Sequence, residues 1–96
     1  MDISSDYPTE EMKHLYKAIL TLKTSDEAAR FFRDLLTEAE IKEFSNRWQM
    51  VQMITRGIPY LEIAHKLKVS TTTVNRVAKW LNNGMGGYKL VLDRQK

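Results

Sequence analysis

From Glu10 onward the apolar positions recur every three or four residues, the spacing that lines one face of a helix. In EEMKHLYKAILTLK, Met12, Tyr16, Ile19 and Leu20 fall on one side behind Thr9. Glu10 and Glu11 stand in the first turn and Lys23 in the last, the order that the helix dipole favours. A second helix is expected to start at Ser25, with Asp26 and Glu27 leading into AARFFRDLL. Thr37 followed by Glu40 has the spacing of a capping box and opens a third, longer helix, EAEIKEFSNRWQMVQMITR, which Gly57 should stop. Here the apolar residues take two sides. Ile41, Phe44, Trp48 and Val51 form one stripe, while Met50 and Met53 project toward the opposite side at 100° per residue. Two stripes imply a central helix or one packed on a second subunit, unless the methionines are simply exposed.

The segment YLEIAHKLKVSTTTVNRVAK, residues 60–79, carries the most specific pattern. A helix-turn-helix needs apolar residues at fixed points, because two short helices pack across a tight turn. Ile63 and Leu67 fit the inward positions of the first helix, and small Ala64 fits the closest approach. Val69 fits the plug of the turn, and Val74 and Val77 fit the anchors of the second helix. Lys68 stands where glycine is common, because a positive φ is often needed there. Ser70 is a good N-cap for a helix beginning at Thr71. Thr71, Thr72 and Thr73 are poor residues for a helix interior, yet suit a leading turn offered to base edges and phosphates. Asn75 has the chemistry to read adenine, and Lys79 continues the same side toward phosphate. Arg76 is open to three readings: a guanine reader, a phosphate contact, or part of an effector pocket. The sequence-derived DNA-binding set is therefore Lys68, Ser70, Thr71, Thr72, Thr73, Asn75, Arg76 and Lys79.

Beyond residue 83 the pattern weakens. Gly84, Gly86 and Gly87 break the preceding helix, and YKLVL fits either a short strand or a further helical turn or two. The division expected is 1–36 for N-terminal helices serving core and dimerisation, 37–83 for the central helix and helix-turn-helix, and 84–96 for a glycine-rich tail, within one all-α domain.

Charge sharpens the picture. The net charge of +3 conceals nine acidic and five basic side chains in residues 1–40, against three acidic and ten basic in 41–96. A basic C-terminal half points to a polyanion. The chain has no cysteine, which excludes disulfides and thiolate metal sites, and no apolar run near the ~20 residues that cross a bilayer. A soluble, cytoplasmic protein without a membrane partner is expected. His14 and His65 stand far apart, with no nucleophile elbow, phosphate loop or metal-spaced cluster, so an enzyme is not expected.

With LLTEAEIKEFSNRWQMVQMITRG leading into the helix-turn-helix, about residues 35–83 resemble the tryptophan-repressor family; the tail LNNGMGGYKLVLDR resembles its YerC/YecD-type branch. The resemblance implies an intertwined homodimer and sequence-specific binding of palindromic operator DNA. It also implies an effector pocket, with Arg47 and Arg76 at the positions of two arginines that sandwich an indole and Thr37 beside the ligand's amino-acid end. Val77 and Trp80 depart from that pattern, placing bulk where the family has a glycine and a serine. L-tryptophan is the co-repressor implied and these two residues stand against it, so no cofactor is expected. The competing reading is a helical adaptor whose basic face meets an acidic partner without reading DNA sequence.

Overall fold

The computed structural model describes residues 5–96, which form six helices and no strand. In chain order they are α1 (Glu10–Ile19), α2 (Ser25–Leu35), α3 (Glu38–Thr55), α4 (Tyr60–Leu67), α5 (Thr71–Asn83) and α6 (Gly87–Arg94). They fall into two units, divided between Ile41 and Lys42.

The first unit is held by its helix ends. Thr9 caps α1 by accepting the Met12 N–H at 3.3 Å. Thr24 caps α2 through the Glu27 N–H at 3.1 Å, while the Glu27 carboxylate accepts the Lys23 N–H at 2.8 Å. The expected capping box opens α3: the Glu40 N–H donates to the Thr37 hydroxyl at 3.1 Å, and the Thr37 N–H donates back to Glu40 at 2.9 Å. Those Thr37 donors favour the charged carboxylate and hold the Glu40 pKa below its ordinary value. No residue of α1 or α2 is buried.

Lys23 is not in the last turn of α1, because α1 stops at Ile19. The Thr21 hydroxyl donates to the Ala18 carbonyl at 2.6 Å and satisfies the helix end, freeing the following residues to extend so that Thr24 can cap α2.

The second unit has its own core: Met50, Val51 and Met53 of α3, Ile63 and Ala64 of α4, and Val74, Val77 and Leu81 of α5. Trp48, Leu67, Val69, Trp80, Tyr88 and Leu92 pack around it, half-buried. A fully buried Val or Ile contributes about 1.5–3 kcal/mol, so the five side chains under 2 % exposed or at that level, led by Met50 and Ile63, carry much of this unit's stability.

The helix α3 resolves its two stripes against the simpler expectation. The methionines are neither exposed nor an outer stripe: Met50 and Met53 are core, together with Val51. Phe44, from the opposite stripe, is 48 % exposed, and Trp48 is only half-buried. Long, flexible thioethers adapt to an irregular core better than rigid rings do.

Two turns share one device. After α3 the Ile58 N–H reaches the Met53 carbonyl at 3.1 Å and the Gly57 N–H reaches Ile54 at 3.0 Å. After α4 the Val69 N–H reaches Ala64 at 3.0 Å and the Lys68 N–H reaches His65 at 3.4 Å. Both are Schellman motifs, which need one left-handed residue. Gly57 supplies it in the first at φ 80°, and Lys68 in the second at φ 58°. Lys68 therefore carries the positive φ that its position implied, at a steric cost of about 1 kcal/mol relative to glycine.

The tail is helical. Gly84 ends α5, and Gly87, expected only as a breaker, is the first residue of α6. A Cβ at Gly84 would collide with the Trp80 carbonyl, so only glycine permits this exit from α5. Tyr88 and Leu92 then return to the core, with the Tyr88 ring 6.3 Å from that of Trp48.

Candidate nucleic-acid interface

The helix α5 has two faces with separate tasks. Val74, Val77, Ala78 and Leu81 are buried, which fixes the helix on α4 and α3. Thr72, Asn75, Arg76 and Lys79 are exposed on the other side. At about 1.5 Å per residue they form a ridge about 10 Å long. Lys68 and Ser70 are exposed just ahead of it, and Thr71 and Thr73 are half-buried at its margins.

Local hydrogen bonds fix the start of that ridge. Ser70 accepts the Thr73 N–H at 3.1 Å, as an N-cap should, and the two hydroxyls share a further bond at 3.0 Å. Two of the hydroxyls expected to face a ligand are thus engaged in holding the helix. The ion pairs among the described residues involve none of Lys68, Arg76 and Lys79. Solvated cations on a pinned helix can neutralise phosphates and release counterions.

The residues of the implied effector pocket are distributed differently. Arg47 and Trp80 come together, the guanidinium carbon 5.8 Å from the indole centroid. The Arg47 guanidinium also lies 6.0 Å from the Phe44 ring centroid, and Glu43 accepts its Nη2 hydrogen at 2.8 Å. Arg76 is exposed one turn before Trp80, and Val77 belongs to the core. The Thr37 hydroxyl, in the first unit, donates to Glu40 at 3.0 Å. A shallow cavity of about 280 Å³ lies beside Arg47, lined by Phe44, Arg47, Trp48 and Tyr88. Sequence reasoning did not single out Glu43 or Tyr88. The Glu43–Arg47 spacing of four residues was a usable signal, whereas Tyr88 depended on the path of α6.

The chain as a whole has relatives among known proteins. A family profile described as Trp repressor protein matches residues 10–96, nearly the whole chain. The chain belongs to the Trp repressor family. It is 38 % identical over 87 residues to the uncharacterised protein YerC of Bacillus subtilis, a match covering 91 % of this chain and 84 % of YerC. Among solved structures, a TrpR-like protein from Eubacterium eligens is 39 % identical with a TM-score of 0.89, over 96 % of this chain and 95 % of that one. A second, from Staphylococcus aureus, is also 39 % identical, with a TM-score of 0.82 over 88 % and 85 % of the two chains. The Trp repressor family is one of DNA-binding transcription regulators rather than enzymes, and this member has the family's all-α fold. No helix among the described residues is long and apolar enough to cross a membrane.

Proposed function

We propose that this family member is a sequence-specific repressor that binds a palindromic operator in double-stranded DNA as a homodimer, in the cytoplasm. The observation that carries the reading is the divided surface of α5, anchored by Val74, Val77, Ala78 and Leu81 and free along Thr72, Asn75, Arg76 and Lys79. Lys68, Arg76 and Lys79 supply the phosphate charge, and Thr71, Thr72 and Asn75 reach base edges. Ser70 and Thr73 contribute by fixing the first turn. One such helix reads only a few base pairs; a dimer sets two on half-sites about 34 Å apart. The N-terminal helices favour that assembly, since Met12, Tyr16, Leu20 and Leu35 are all exposed and α1 and α2 bury nothing.

The regulator acts without L-tryptophan in this reading. Trp80 supplies from within the chain the aromatic surface against which Arg47 lies, and Glu43 takes the guanidinium hydrogen bond. Arg76, left outside that assembly, serves DNA.

Selection of bound sequences from a random duplex pool, with and without L-tryptophan, tests both statements. A near-palindrome enriched equally in both arms, with affinity falling steeply with salt, is the expected result. Binding without sequence preference would support the adaptor reading instead. Saturable micromolar binding of L-tryptophan in a calorimetric titration would sink the ligand-free part.

A further inference from the structure

Four hydroxyl-bearing side chains open α5, and the structure divides them. Ser70 and Thr73 are bonded to each other at 3.0 Å, and Ser70 also holds the Thr73 N–H. Thr71 is half-buried at the edge of the anchoring face. Of the four, Thr72 alone is exposed with no hydrogen bond to its hydroxyl among the described residues. Asn75, three residues on, is also exposed and has no hydrogen-bond partner among the described residues. The two lie about 4.5 Å apart along the helix axis, near the roughly 3.4 Å step between stacked bases.

Resting on the reading of α5 as the recognition helix, we propose that Thr72 and Asn75 read neighbouring A·T pairs, the Thr72 methyl packing on a thymine C5-methyl and the Asn75 carboxamide pairing with adenine. A threonine hydroxyl rotates and meets donors and acceptors alike, so it discriminates little. Its methyl has a fixed place, because branching at Cβ restricts χ1, and the Ser70–Thr73 bond holds the turn on which it stands. The carboxamide presents one donor and one acceptor side by side, matching adenine N7 and N6 in the major groove. The division of labour among the threonines follows: Thr72 reads, while Thr73 holds.

The test uses the half-site enriched by the full-length protein, with uracil replacing thymine at each enriched thymine in turn. Uracil lacks only the C5-methyl. At one position it should weaken wild-type binding about three- to fivefold, the scale of one buried methyl. Thr72→Ser, which keeps the hydroxyl on an exposed site, should lose the same factor on thymine and nothing more on uracil. Asn75→Ala should abolish the preference for adenine at the adjacent pair. Thr73→Val, which removes the hydroxyl bonded to Ser70, should shrink the thymine-over-uracil factor, because the turn that places the Thr72 methyl is loosened. Equal wild-type affinity for thymine and uracil at every position overturns the proposal, as does a full second loss when Thr72→Ser meets uracil. A pool with no enriched sequence overturns the operator reading itself, whereas enrichment without methyl coupling overturns only the assignment of Thr72.

Discussion

The two units are built on opposite principles. Residues up to Ile41 fold into amphipathic helices with every start capped, yet α1 and α2 bury nothing. From Lys42 onward the helices are shorter on average after α3, and α4 lacks any side-chain cap, yet eight buried side chains form one cluster. Caps and i,i+4 pairs such as Asp26–Arg30 at 3.4 Å contribute tenths of a kcal/mol to about 1 kcal/mol each. Buried aliphatic chains contribute several times more. Local signals therefore suffice to write a helix, but a face like that of Met12, Tyr16 and Leu20 acquires its stability from whatever covers it.

The contrast can be broken most severely at Ile63, which has no exposed surface. Ile63→Ala should cost about 2–5 kcal/mol in urea unfolding and abolish DNA binding. Leu20→Ala, at 81 % exposure, should leave the monomer's stability within about 0.5 kcal/mol. In the proposed homodimer its effect should appear instead as a higher dissociation constant in sedimentation equilibrium. If both variants shift urea unfolding alike at every protein concentration, the first unit has a core of its own.

A smaller effect of opposite sign is expected at Lys68. Glycine there relieves the left-handed strain, so Lys68→Gly should raise stability by about 1 kcal/mol. The same change removes a charge from the turn proposed to face DNA. It should weaken DNA binding and reduce the salt slope by about 1. A variant both more stable and poorer in binding would separate conformational cost from electrostatic gain at one residue.

The smallest effect concerns the capping box in the first unit. Glu40 is held below its ordinary pKa by the Thr37 N–H and then the Thr37 hydroxyl. A carboxylate with a depressed folded pKa stabilises fully above its unfolded pKa, and that contribution disappears as pH falls through the folded value. The stability gap between wild type and Glu40→Gln should thus be constant above the ordinary glutamate pKa of about 4.3 and narrow as the pH falls below it. A gap independent of pH would remove the charged carboxylate from the account.

Much of this was legible in the sequence because it depends on local chemistry. The spacing of Ile63, Ala64, Leu67, Val69, Val74 and Val77 gave the helix-turn-helix, and Ser70, Lys68 and the Thr37–Glu40 pair behaved as their types require. What escaped depends on tertiary choice. Periodicity placed two stripes on α3 but could not say that the methionine side faces inward. Gly87 looked like a breaker, because nothing local reveals that Tyr88 and Leu92 will be drawn to a core and make a helix of the tail. In the candidate interface the residue types were readable but their engagements were not. The Thr73 hydroxyl, expected to face a ligand, is bonded to Ser70.

The separation of faces on α5 has an evolutionary consequence. Because Thr72, Asn75, Arg76 and Lys79 lie outside the core and outside the Ser70–Thr73 bond, they can be exchanged with little effect on folding. If α5 reads DNA as proposed, a gene copy is then free to drift toward a new operator through changes at four positions while its fold stays under unchanged selection. Recognition helices built this way let a lineage multiply its switches without rebuilding the scaffold that carries them.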